Sequence, residues 1–406
     1  MTMTTPIPAR HPDRPRKAPG VRPFTLALGI GAPSPERWRL LGESLLVGDE
    51  PMDALVEWMY AEGMATTRPM FDQALRGGID SVPDAPQPLR TFFTAVEDTP
   101  SWVDQQLLRH GERVFRSGGT DGLYFARDVS FLGGYLASGF NKTLLRTGAL
   151  EKGPARRFAE TLQWAMDVSA ENGMQRFGVG YRSTLHVRFI HSMVRRHVAA
   201  MPDWEADQWG VPINQTDMAA TLVGALLAPF VGALALGVVP SRADTVAAAH
   251  LTRYVGWLIG VEERWLPTGF RDGVAILQHC LNAITNPDDT SRQLALPMGD
   301  DPLNWSYPNL PVLRGRLARA QHLSVTSAFL GPKAMKILGL PYVPPWYPAL
   351  RIPVNLARTA ATRLAPGGRD RAAVRGRREQ EEFLRRLIGD TAATIGESAP
   401  PLHHTA

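Results

Sequence analysis

The sequence predicts an all-α protein built as a single large helical bundle, and three observations carry that reading. Alternating apolar–polar runs of the strand period are almost absent, while helix-starting and helix-stopping residues recur along the chain. The third is composition: 406 residues, 44% of them apolar, can fill a core, which excludes a disordered chain.

The elements follow in order. Residues 1–35 are Pro- and Arg-rich and read as a flexible basic segment. The apolar stretch 24–32 is short, interrupted by glycine and lacks a clear small-residue cleavage site, so it is not read as a signal peptide. Thr99 is expected to cap a helix with Pro100 at its first position, running through Trp102, Leu107 and Val114. A second helix is expected over 121–146, stopped by Gly148, and a third over 154–171, ended by Asn172 and Gly173. The fourth covers about 181–200. The loop Trp209-Gly210-Val211-Pro212-Ile213-Asn214 follows, with Asn214 as N-cap and Asp217 in the first turn of the next helix. Further helices are expected near 242–264, 271–286, 313–329 and 371–388. The Pro-rich stretch 341–348 reads as the edge of the body, giving a domain over 36–350 and an Arg-rich extension over 351–406.

The formal charge of +5 belongs to the ends. Residues 1–22 carry +4, residues 351–386 carry +6 and residues 387–406 carry −2, which leaves residues 23–350 at −3. No recognised module or aromatic-interleaved basic patch accompanies the basic ends, so nucleic-acid binding is not expected. The basic tail helix is expected either to lie on an anionic membrane surface or to be solvated with local Glu–Arg pairs. The single cysteine, Cys280, excludes an internal disulfide framework and a Cys-based zinc or iron–sulfur site, and fits a cytoplasmic chain. Residues 218–239 carry no charge and are long enough to span a membrane, but small residues, Pro229 and the polar cap favour a buried core helix.

The chemical signal is a polar stripe on an apolar helix. At about 100° per residue, Arg188, His191 and Arg195 fall on one side, among Leu185, Val187, Phe189, Ile190, Met193 and Val194. Two arginines bracketing a histidine in a buried helix need anionic partners. These are either carboxylates of neighbouring helices or a bound anionic group. His186, His191 and His197 are five and six residues apart, so a helical zinc triad is excluded. One neutral histidine suits an axial haem bond, with haem propionates as the anions. Without a Cys-x-x-Cys-His motif, such a haem is b-type. On an earlier helix Arg157, Glu160, Thr161 and Trp164 share one face, read either as a solvated surface or as a polar pocket.

The run Arg188-x-x-His191-x-x-x-Arg195, followed by Val211-Pro212-Ile213-Asn214-Gln215-x-Asp217, resembles the signature of the MpaB and rubber oxygenase (latex-clearing protein) family. The segments 255–262, Leu266-Pro267 and 338–341 are similar to later parts of it, so the resemblance spans roughly 50–350. It implies a globin-like helical core holding one haem b, whose iron activates dioxygen to cleave a C=C bond of an isoprenoid or other long apolar substrate. By that resemblance His191 is the iron ligand, with Arg188 and Arg195 beside the haem. Arg157, Glu160 and Thr161 stand where the rubber oxygenases carry Arg-x-x-Lys-Thr on the distal side. Glu160 replaces the lysine, and Asn141 stands where those enzymes carry an acid. The expected function is therefore a haem-dependent oxygenase, with peripheral membrane contact through the tail as an added expectation. The alternatives are a non-catalytic haem-binding protein and a membrane-surface helical protein without haem.

Overall fold

The structure, a computed structural model, describes residues 6–18, 22–148 and 150–389. Its helices are, in order, α1 Arg22–Ala27, α2 Pro35–Glu43, α3 Glu50–Glu62, α4 Met64–Gly77, α5 Gln87–Glu97, α6 Gln105–Ser117 and α7 Gly119–Phe125. Then come α8 Leu132–Gly134, α9 Ser138–Arg146, α10 Pro154–Val168, α11 Val179–Ala199, α12 Ala206–Trp209, α13 Gln215–Leu226 and α14 Ala228–Ala235. The chain continues with α15 Arg242–Leu258, α16 Phe270–Ile284, α17 Asp289–Asp300, α18 Pro311–Ile337, α19 Trp346–Leu364 and α20 Gly368–Ile388. Among the described residues there is no strand, only an isolated bridge between Ala137 and Asn286. The all-α reading holds.

Packing divides the interior into two main apolar clusters. One gathers α3, α5, α11, α13, α15 and α16 around Phe71, Phe93, Phe189, Leu222, Val255 and Leu258. The other joins α7, α10, α17, α18 and α20 around Tyr135, Phe158, Met298, Leu323 and Phe383. Burial of such side chains stabilises by roughly 1.5–3 kcal/mol each, so both clusters hold the fold.

Several elements differ from the sequence reading. The helix expected from Thr99 starts at Gln105, because Asp104 rather than Thr99 caps it. Its carboxylate accepts from the amides of Gln106 (2.7 Å) and Leu107 (3.1 Å). Trp102 is held outside that helix by edge contact with His250 and by the Arg253 guanidinium, 4.0 Å from its ring centroid. The helix expected over 121–146 is broken into three. After α7 a π-helical turn covers Ala126–Phe131, and Tyr135–Ala137 leave the helix before α9. Arg127 and Asp128, neighbours in that turn, are both fully buried and paired to each other at 2.8 Å, and Asp128 also accepts from His322 at 2.7 Å. These pairs hold the wide turn, and Gly133 and Gly134 weaken the helix just beyond it. The helix expected to end near 329 bends at Gly331 (φ 76°), which takes a left-handed conformation ahead of Pro332, and then runs on to Ile337.

The chain ends pack on the body wherever they are described. Arg10 forms a buried bidentate pair with Asp217 at 3.2 and 2.7 Å, and the Ala9 amide donates to Asp207 O. Downstream of the Pro-rich stretch, α19 was not read from sequence at all. The helix expected at 371–388 is α20, which packs on α6, α7 and α10 and buries Phe383 and Leu387. The apolar run 218–239 falls in α13 and α14, and the stretch Gln215–Ala235 is long and apolar enough to cross a membrane. Most of α13 is buried against α15 and α16, and the chain bends at Leu227 before α14.

Candidate functional site

Both arginines of the polar stripe are engaged by α3. Arg188 grips Asp49 with Nε (2.6 Å) and Nη2 (2.7 Å), and gives Nη1 to Leu258 O. Arg195 pairs with Asp53, and also donates to Pro212 O (3.2 Å) and Ile213 O (2.9 Å). Ser192 adds a bond to Asp53 at 2.6 Å. Of the two readings for the arginines, carboxylates of a neighbouring helix are the ones realised. Arg188 and Arg195, expected beside a haem as cofactor contacts, have their charge answered by Asp49 and Asp53. Each uses three of its five N–H donors in these bonds.

The Val-Pro-Ile-Asn loop belongs to the same assembly. Ile213 takes a left-handed φ of 52°, a conformation costly for a β-branched residue and retained here where the loop turns its carbonyls to Arg195. Asn214 caps α13 as expected, accepting from the Asp217 amide at 3.0 Å. Gln215 then ties three segments together. Its Nε2 donates to Gly48 O (2.7 Å) and Gly260 O (2.9 Å), and its Oε1 accepts from the Glu262 amide (2.8 Å). Gly260 must lack a side chain, because a Cβ there would stand 2.2 Å from Asp49 Oδ2. The signature residues thus form a buried polar knot that locks α3, α11, α13 and the end of α15 together.

His191 stands apart from this knot although it lies between its two arginines in sequence. It is deep in the protein and partly buried by accessible surface. Burial, helped by the Arg195 charge, lowers its pKa to about 4, and the imidazole is neutral near pH 7. Its Nδ1 is buried with no hydrogen-bond partner.

Helix α10 packs on α11. Trp164 Nε1 donates to Thr184 Oγ1 at 3.1 Å and Asp167 is bonded to Ser183, which fixes α10 and α11 antiparallel. Two helical turns from that contact, towards the start of α10 and the end of α11, stand Arg157 and His191. They therefore lie at one level. Arg157 is likewise deep but not sealed, its pKa pulled down by burial, its Nε without a partner and its guanidinium 6.0 Å from the Phe131 ring centroid. The Thr161 hydroxyl makes only a long bond, 3.4 Å, to Arg157 O in its own helix. Glu160 lies close enough to Arg157 for its charge to favour the guanidinium. Of the two readings for this face, the polar pocket fits better than a solvated surface. Asn141 is fully buried, and its Nδ2 donates to Tyr135 O and Thr290 Oγ1.

Among the described residues no group of three or more His, Cys, Asp or Glu side chains is arranged to hold a metal ion. His186 is not at this site, because its Nδ1 lies 3.4 Å from Arg68 Nη2. Sequence reasoning missed Asp49 and Asp53, and it named Gln215 in the motif without a role. The two aspartates left one signal, an i, i+4 acidic pair at the start of an apolar helix.

A family match over more than half of the chain places this helical fold among oxygenase catalytic domains. Residues 122–363 match the family described as ER-bound oxygenase mpaB/B'/Rubber oxygenase, catalytic domain, and the chain belongs to it. Among individual relatives, it is 29% identical over 207 residues to the rubber oxygenase of Streptomyces sp. (strain K30), covering 48% of this chain and 47% of that protein. The chain thus aligns with about half the length of that curated relative. The fold is similar to the solved structure of Latex Clearing Protein LCP in the closed state, with a TM-score of 0.61 and 18% identity, over 84% of this chain and 91% of that one.

Proposed function

We propose that this protein is a b-type haem-dependent oxygenase that acts on a C=C bond of an isoprenoid or other long apolar substrate. The observation that carries the reading is His191: a neutral imidazole deep in the protein, level with Arg157, with Nδ1 unpartnered. An imidazole in that state offers its lone pair to iron without first losing a proton. Bound there, haem would supply the activation of dioxygen. The chain's own residues supply the rest. His191 would be the residue that holds the iron, on a helix that Asp49 and Asp53 pin through the neighbouring Arg188 and Arg195. Arg157 offers an unpartnered N–H and Thr161 a loosely held hydroxyl towards the distal space, where they would orient a polar atom. The apolar side chains of the surrounding clusters exclude water. The family membership and the rubber oxygenase relative support this activity class.

The experiment is an optical titration of the purified protein with haem. A Soret band that appears in the native protein and is lost or displaced in His191→Ala supports the reading. Absence of the band after reconstitution, or indifference to His191→Ala, overturns it. Carbonyl products from polyisoprene and shorter isoprenoids then test the substrate class. Glu160, standing where the rubber oxygenases carry lysine, favours one second reading: a haem protein without oxygenase activity. Oxygen uptake in the presence of isoprenoids excludes it.

A further inference from the structure

A cleft of about 230 Å³ opens on the far side of α10 from Arg157. Its floor is apolar, made by Leu123 of α7, Leu162 and Met166 of α10, and Phe230 and Ala233 of α14. Leu162 and Met166 lie roughly 140° and 180° around α10 from Arg157, so the body of the helix separates this cleft from His191. The volume approaches the lower end of small-molecule sites.

The walls are cationic. Five arginines and two aspartates line the cleft, and both acids are already engaged. Asp121 is held by Arg351 at 2.9 and 2.7 Å, and Asp244 by His110 at 2.8 Å. Among the described residues, Arg363 and Arg369 have no carboxylate partner, and Arg363 gives one N–H to Val239 O at 2.6 Å. A second, independent feature lies in the wall. Gln380 is 7% exposed and donates Nε2 to Phe115 O at 3.3 Å, while its buried Oε1 has no donor. Exchanging the two amide atoms would set oxygen against oxygen, so the unanswered atom is the acceptor. Buried polar atoms are rarely left unanswered.

We propose that this cleft binds an amphipathic anion, a long alkyl or prenyl chain ending in a carboxylate. The chain lies on Leu162, Met166 and Phe230. The carboxylate meets the guanidinium groups of Arg363 and Arg369, whose planar forks match its two oxygens. The site is independent of the His191 chemistry.

Calorimetric titration of the full-length protein with dodecanoate and with dodecanol, both below their aggregation limits, tests this. Dodecanoate is expected to bind about tenfold more tightly than dodecanol, the size of one charge-assisted contact. Arg363→Gln with Arg369→Gln removes that advantage and leaves dodecanol unchanged. Ala233→Trp, or Leu162→Phe if the first variant melts early, weakens both ligands, while His191→Ala alters neither. No binding of dodecanoate, equal binding of acid and alcohol by the native protein, or binding indifferent to both floor variants overturns the proposal.

Discussion

Two regions share one helix and follow opposite rules. On α11, Arg188 and Arg195 are tied into the body: each guanidinium meets an aspartate at the start of α3 and at least one backbone carbonyl. His191, three residues from one and four from the other, has a buried nitrogen with no hydrogen-bond partner. The two arginines therefore hold α11 in place, and the histidine between them keeps hydrogen-bonding capacity that the fold does not use.

Substitutions sharpen that contrast, beginning with the largest expected effect. Asp49→Ala leaves Arg188 charged and buried without its partner, and should destabilise by about 3–5 kcal/mol, read as a lower denaturant midpoint. If the midpoint barely moves, the knot is ornamental. His191→Leu should do the reverse in the cofactor-free protein. It removes a buried unsatisfied nitrogen, and a gain of about 1 kcal/mol is expected while haem binding is lost.

Acid titration separates the same two variants. The folded-state pKa of His191 is about 4 against 6.5 for the free side chain, so the unfolded chain takes the proton first. Stability due to the neutral imidazole is complete above pH 6.5 and is lost as pH falls towards 4, at about 1.4 kcal/mol per pH unit. Other buried histidines, His11 among them, follow the same sign, so the share of His191 is the difference in slope between native protein and His191→Leu. Identical slopes would place His191 in ordinary solvent. The smallest effect is expected from Asn214→Ala, about 1 kcal/mol for the lost cap of α13, measured by thermal unfolding.

The all-helical fold was legible because helix caps and periodicity are local. Asn214 is an example: its side chain reaches only three residues along the chain. The π-turn was illegible because its cause is remote, in Met298, Asp301 and His322, more than 170 residues from Arg127 and Asp128. The start of α6 failed for a narrower reason: Thr99 and Asp104 are both good caps, and the tertiary contacts of Trp102 decided between them. His191 was found from its place in an apolar helix. The partners of its flanking arginines were foreseen in kind but not in identity, because α3 lies 139 and 142 positions upstream and nothing local points to it.

The clasp between Arg10 and Asp217 bears on how much chain this fold requires. The residues that match the family begin at 122, whereas Arg10, Asp49 and Asp53 all precede that point. A chain trimmed to the matching segment would strand Arg188, Arg195 and Asp217 as three buried charges with no counterions. The matching segment alone is therefore expected to fold poorly. The first 60 residues of the chain supply counterions to its centre, and proteolysis near the N-terminus should register as loss of cooperative unfolding rather than as a clipped end.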